Sequence, residues 1–344
     1  MNILLVKLSS LGDVLHNLPI VWDIRTNYPD ARLDWVVEEG YVELLTPLKT
    51  TDSFKGIDHI IPISLRRWKK NLKNGELIKP IQEFIACKNA LQEVSYDIVI
   101  ETQGLIKSAL VTKFVKKSPN AIVAGLANQT EYSGYEPFAR RFYTECVQVP
   151  TQCHAVDRSR WVTAAALDAP IPDRVDQAPH FYTTSYVEQL TTQLNPLDLA
   201  AGSYVMCFHA TARAAKQWMP ERWIAVAKEL SAKGFTVIFP WGNEVEKRAS
   251  EYLASKVPNA LVPRAFSVAE SFPLIAQAKL TIGVDTGFTH LSAILGKPTI
   301  ELYVDSPRWK TEGYWSDRII NLGDMKQAPS QVEVIAALNR LLEN

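Results

Sequence analysis

The sequence has no G-x-G-x-x-G turn, since none of its 15 glycines has another glycine two positions away. That removes the usual dinucleotide fingerprint of nicotinamide and flavin enzymes. No G-x-x-x-x-G-K-[ST] loop, H-E-x-x-H pair, Cys/His cluster or Asp-x-Asp pair is present either. Many enzymes that act on nucleotide diphosphates hold a divalent cation on paired aspartates. A diphosphate bound here would be neutralised instead by backbone N–H groups, a helix N-terminus and lysine. No metal or other cofactor is expected.

Cysteine is scarce and unpaired in pattern: Cys87, Cys146, Cys153 and Cys207 make no C-x-x-C spacing. The opening MNILLVK leads into a strand pattern without a basic n-region or an apolar h-region. Reduced thiols, no signal peptide and a cytoplasmic location are the expectation. No apolar run reaches the roughly 18–20 residues that span a bilayer. Charge of one sign is not in excess, because Lys+Arg and Asp+Glu stand at 37 each. Bulk charge therefore argues against a nucleic-acid partner.

What is present is a soluble globular composition, 47% hydrophobic and 22% charged, over 344 residues. That length exceeds what one core usually serves, so two domains are expected. Apolar runs at NILLVKL, 32–39, 59–64, 96–102 and 121–126 read as strands, with helical patterns between them. After three prolines in ALDAPIPDRVDQAP the same alternation resumes at 204–210, 235–241, 260–265, 279–285 and 298–304. Strands alternating with helices imply parallel sheets covered on both faces. The expected architecture is α/β, with two doubly wound Rossmann-like domains facing each other across a cleft. Residues 1–170 would form the first domain, 171–182 a linker and 183–328 the second. The terminal helix 329–344 would pack back on the first domain.

In doubly wound sheets ligands bind beyond the carboxyl ends of strands, which directs attention to the strand-to-helix junctions. In KLSSLGDVLH, Ser9 and Ser10 can bond backbone amides or a ligand phosphate, Gly12 permits an unusual turn, and Asp13 opens a helix. Asp13 reads equally as a cap and as a carboxylate displayed to a ligand. A helix N-terminus favours its ionised form, whereas Leu11, Val14 and a nearby anion would oppose it. In IGVDTGFTH, Gly287 allows close approach to the backbone and Thr286 opens a helix. Asp285 serves either as a cap or as a partner for sugar hydroxyls, and His290 reads as a packing or supporting residue. In HATARAAK, Thr211 and Lys216 offer a hydroxyl and a mobile cation to phosphate. In PWGNEVEK, Glu246 lies at a strand tip that can hold ribose hydroxyls, or else it merely acidifies the first turn of a helix. RRWKKNLK packs Arg66, Arg67, Lys69 and Lys70 around Trp68, as a solvated charged loop or as a site for phosphates.

KLSSLGDVLHNLP, DWVVEEGY, IPISLRRWKK, ETQGLIKSAL, HATARAAKQW, FPWGNEVE and VDTGFTHLSAILGKP follow one another in the chain. Together they resemble the lipopolysaccharide heptosyltransferase family, glycosyltransferase family 9, whose members are inverting enzymes of the two-Rossmann GT-B type. DWVVEEGY and RRWKK resemble most narrowly the members that add the first heptose. The resemblance implies transfer of L-glycero-D-manno-heptose from ADP-heptose to a Kdo hydroxyl of Kdo-lipid A, without metal, at the cytoplasmic face of the inner membrane. It implies Asp13 as general base. Thr211, Lys216, Thr286 and Gly287 would hold the diphosphate, and Lys216 would also stabilise departing ADP. Glu246 would meet ribose, Asp285 the heptose and Phe266 the adenine, with His290 on the donor side. Ser9, Ser10, Gly12, Arg66, Arg67, Lys69, Lys70 and Lys107 would face the acceptor, and Trp68 the membrane interface. Ala212 stands where the family shows a second threonine, and the 304–316 stretch departs from the family pattern. A heptosyltransferase adding a later heptose and a non-catalytic two-lobed nucleotide-sugar binder are the rival readings.

Overall fold

The computed structural model describes residues 1–171, 179–211 and 213–343. Most of the expected linker, 172–178, and Ala212 lie outside the described residues. The chain divides into two units, Met1–His180 and Phe181–Asn344.

The first unit carries β1 (Asn2–Val6), β2 (Arg32–Glu38), β3 (His59–Ile63), β4 (Tyr96–Glu101), β5 (Lys117–Leu126) and β6 (Glu145–Val147). They form one parallel sheet in the order β3-β2-β1-β4-β5-β6. The second carries β7 (Tyr204–Phe208), β8 (Thr236–Ile238), β9 (Ala260–Leu261), β10 (Leu280–Val284), β11 (Thr299–Tyr303) and β12 (Ile319–Gly323). Its parallel order is β12-β11-β10-β7-β8-β9. Near-continuous apolar strands such as YVMCF and LTIGV are buried along their whole length, as helices on both faces of a parallel sheet require. Strand order reverses between β1 and β4 in the first sheet and between β7 and β10 in the second. These are the switch points where a doubly wound sheet opens a crevice at its carboxyl edge.

Three elements differ from the sequence reading. The 14–27 pattern breaks into helices Leu11–Leu15 and Pro19–Asn27, because Pro19 starts a new helix at its first turn. RRWKKNLK lies in the helix Leu65–Lys73 rather than in a loop. The terminal helix Gln331–Glu343 packs within its own unit. Val334, Ala337, Leu338 and Leu341 enter one core with Trp218, Trp223 and Leu302, so its buried apolar stripe is used there. Burying each such aliphatic side chain contributes about 1.5–3 kcal/mol. Among the described residues no helix is long and apolar enough to cross a membrane.

Candidate active site

At the first switch point β1 ends and the chain turns through Ser9 and Ser10 into the helix Leu11–Leu15. The carboxylate of Asp13 accepts the Ser10 amide at 3.0 Å and the Ser10 hydroxyl at 2.6 Å. Its main-chain carbonyl accepts the Asn17 amide group at 2.7 Å, and Asn17 in turn accepts the Thr102 hydroxyl from the tip of β4. The carbonyl of Gly12 accepts His16 N–H within the same short helix. Burial pushes the Asp13 carboxyl up. The Lys7 ammonium, the two Ser10 bonds and the Arg158 guanidinium outweigh it and hold the group well below the usual carboxylate range. Asp13 is thereby favoured in its ionised form, and its bonds to Ser10 make it the acidic member of a capping box. Lys107, from the helix after β4, donates to Ser9 Oγ at 3.2 Å, so a predicted acceptor-side lysine meets the opening turn. Lys7 and Arg158, both buried, went unnoticed in sequence. The lone signal was a lysine closing an otherwise apolar strand run.

At the second switch point Asp285 follows β10 and Thr286 caps the helix Gly287–Ile294. Lys216 sits in a short turn after β7, and its ammonium donates to Asp285 Oδ2 at 2.5 Å. Asp285 Oδ1 is 3.0 Å from His290 Nε2, and His290 Nδ1 is 3.1 Å from Glu301 Oε1. Burial alone would lower the His290 pKa, but the carboxylates of Glu301 and Asp285 overcome it and raise it to about 10. Burial opposes the charge of Asp285, yet His290 and Lys216 hold its pKa well below the ordinary value. Glu301 was missed in sequence because it sits inside β11 amid apolar neighbours. It also accepts Tyr303 O–H at 2.8 Å and Gly313 N–H at 2.9 Å. The divergent 304–316 stretch thus has a part in this face. Thr311 donates to Asp285 at 3.3 Å and Gly313 anchors Glu301.

Beside this network lies a cavity of about 340 Å³ lined by Thr211, Trp241, Glu246, Phe266, Thr286 and Phe288, among others. Phe288 stacks on Phe208 and meets Phe266 edge-on, which builds an apolar wall suited to a planar base. Glu246 accepts Gly242 N–H at 2.7 Å, and a carboxylate has capacity to accept further hydroxyl hydrogens. Thr211, Glu246, Phe266 and Thr286 are therefore brought to one wall, with Gly287 next in the chain. Lys216 and His290 join through Asp285.

The basic stretch is only partly available. Arg66, Lys69 and Lys70 are exposed, with the Arg66 guanidinium 5.7 Å from the Tyr41 ring centre. Arg67 is committed to protein partners, donating to both oxygens of Glu39 at 2.8 and 2.7 Å and to Glu83 at 2.7 Å. Arg67 is thus already held by two carboxylates, unlike Lys69 and Lys70 in the same helix. Trp68 is buried and donates to Glu83 at 2.6 Å, so it is a core residue and not an interfacial one.

Two Rossmann-like units, one with an ionised carboxylate at its switch point and one with a lysine and a helix N-terminus beside an aromatic-walled cavity, make a protein of GT-B-like fold. Comparison with known proteins makes this narrower. The profile of glycosyltransferase family 9 (heptosyltransferase) matches residues 84–339. Lipopolysaccharide heptosyltransferase 1 of Pseudomonas aeruginosa is 36% identical over 96% of this chain and 86% of its own length. Its counterpart in Escherichia coli K12 is 33% identical, covering 93% of each chain. The solved structure of E. coli heptosyltransferase WaaC with ADP superposes with a TM-score of 0.81 at 28% identity, over 99% of this chain and all of that one. The chain belongs to glycosyltransferase family 9, the heptosyltransferases.

Proposed function

We propose that this enzyme transfers L-glycero-D-manno-heptose from ADP-heptose to a Kdo hydroxyl of Kdo-lipid A, with inversion at the anomeric carbon and without metal. One observation carries the reading: Thr211, Thr286 and Glu246 line a cavity walled by Phe266 and Phe288, and Lys216 lies alongside on Asp285. Hydroxyls, a helix N-terminus, an aromatic wall and a neighbouring lysine are the groups a nucleoside diphosphate needs. Similar solved structures hold ADP and an ADP-2-deoxy-2-fluoro heptose, which supports the same donor here.

In the proposed step the acceptor oxygen forms a bond to the sugar's anomeric carbon while the bond to the diphosphate oxygen breaks. The acceptor proton passes to Asp13. Its low pKa leaves the carboxylate ionised and ready at neutral pH, and proton transfer becomes favourable only as positive charge develops on the acceptor oxygen. Lys216, Thr211 and the N–H groups opening at Gly287 take up the negative charge of departing ADP. Exposed Arg66, Lys69 and Lys70, with Lys107 and Ser9 at the turn, would meet acceptor phosphates and carboxylates. The protein would then work peripherally on the cytoplasmic face of the inner membrane.

Incubation with ADP-heptose and Kdo-lipid A, followed by mass measurement, tests this. One heptose added per ADP released, unaffected by EDTA, is expected. No product, or product only from lipopolysaccharide already carrying a heptose, overturns it.

A further inference from the structure

Helices Leu65–Lys73 and Ile78–Gln92 form a pair that covers one end of the first sheet. The longer helix is apolar on two faces. Pro80, Cys87 and Leu91 are buried, the last two in a core with Val99 and Val111. Ile78, Ile81 and Ile85 are 74%, 53% and 49% exposed. Spacings of three and four residues put these isoleucines on one side of the helix, in a stripe that faces away from the core. Leu72 and Leu77, at the end of the first helix and just before the second, are 49% and 56% exposed. Contiguous exposed apolar surface of this kind marks an interaction site rather than ordinary scatter.

The charge around the stripe selects its occupant. Residues 65–92 hold seven basic side chains and two acidic ones, a net of +5 in a chain whose total is zero. One of the acids, Glu83, is already held by Arg67 and Trp68. Lys69, Lys70, Lys73 and Lys79 are exposed on the same helix pair. A second copy of this chain would bring +5 against +5, whereas an anionic surface meets complementary charge. The shorter helix also begins directly after β3, at the sheet edge that carries Asp13. β3 lies two strand spacings from β1, about 10 Å.

We propose that this helix pair seats on an anionic phospholipid bilayer, with Ile78, Ile81 and Ile85 entering the interface and the flanking lysines meeting lipid phosphates. Interfacial helices bind through just this sum of buried apolar area and attraction to anionic lipid. The proposal deepens the reading of a membrane-borne acceptor and rests on it: a lipid-anchored sugar would be presented at the edge where the catalytic turn stands.

The test is flotation of the full-length protein with vesicles of phosphatidylcholine and phosphatidylglycerol in equal parts, against vesicles of phosphatidylcholine alone. The wild type is expected to float with the anionic vesicles and to be released by high salt. The Ile78→Ser/Ile81→Ser/Ile85→Ser variant is expected to bind them at least ~10-fold more weakly, with its Tm and its calorimetric affinity for ADP retained. Equal binding by variant and wild type, or equal binding to both vesicle types, overturns the proposal. So does a wild-type dimer that the substitutions dissolve while vesicle binding persists. Transfer to a water-soluble, delipidated Kdo acceptor is assayed in parallel. Its failure would remove the transferase reading, while the flotation result would stand or fall separately.

Discussion

The ammonium of Lys216 and the carboxylate of Asp285 lie 2.5 Å apart, and Asp285 is held from its other oxygen by His290 at 3.0 Å. With Glu301 behind His290, the line Glu301–His290–Asp285–Lys216 runs from the interior of β11 to the donor face with charges alternating in sign. Each buried charge therefore has an opposite partner, the condition under which such charges are tolerated. In the proposed donor complex a diphosphate at Thr286 would compete with Asp285 for the lysine. Asp285, still paired with His290, is not left as an uncompensated buried anion when Lys216 turns to phosphate.

Lys216→Ala removes a charge-assisted bond to the donor and leaves Asp285 with its His290 contact. Hydrogen bonds to charged groups contribute about 1.5–3 kcal/mol, so the Kd for ADP-heptose should rise ~10- to 100-fold. Titration calorimetry measures it, and an unchanged affinity would remove Lys216 from the donor site.

His290 gives the protein a pH signature. Its folded pKa, raised to about 10, stands above the unfolded value near 6.5. The stability it contributes is therefore complete below pH 6.5 and is lost as pH rises through 10. Relative to His290→Asn, the wild type should lose stability steadily between pH 7 and pH 10 in urea titrations. Glu301→Gln should move that loss to lower pH by removing a carboxylate that favours the imidazolium. Parallel pH profiles for wild type and His290→Asn would show that the imidazole rests neutral.

Arg67 and Arg66 should separate cleanly. Arg67 ties the Leu65–Lys73 helix to Glu39 and Glu83, so Arg67→Ala should lower Tm. Arg66→Ala or Lys70→Ala should leave Tm in place and raise the acceptor KM several-fold, since exposed cations add attraction to an anionic ligand without holding the fold. Thermal melts and acceptor kinetics on the three variants decide this. A lower Tm for Arg66→Ala with an unchanged acceptor KM would reverse the assignment.

The main strands were legible because parallel strands buried on both faces leave near-continuous apolar runs; LTIGV and YDIVIE stand out in the sequence. The junctions followed, since each candidate residue sits one to eight positions beyond such a run. β6, an edge strand of three residues, leaves too short an apolar signal to register, and β12, an edge strand, is only half-buried over four of its five residues. RRWKKNLK passed for a loop because a single buried tryptophan sets its inner face. The ion pairs of Arg67 were hidden for a related reason: its partners, Glu39 and Glu83, are 28 and 16 residues away in sequence. Glu301 was hidden because a carboxylate inside a strand reveals its purpose only when His290, Tyr303 and Gly313 are seen around it. The state of Asp13 depends on Lys7 and the two Ser10 bonds, which are local, and on Arg158, brought in from a distant helix, so the local pattern carried only part of the cause.

Asp13→Asn tests the central claim most directly, because asparagine keeps the size of the side chain and a carbonyl for Ser10 but takes up no proton. With ADP-heptose and Kdo-lipid A, kcat should fall about 10²–10⁴-fold while the Kd for ADP-heptose stays at the wild-type value. Turnover near that of the wild type would contradict the assignment and leave Asp13 as the cap of its helix.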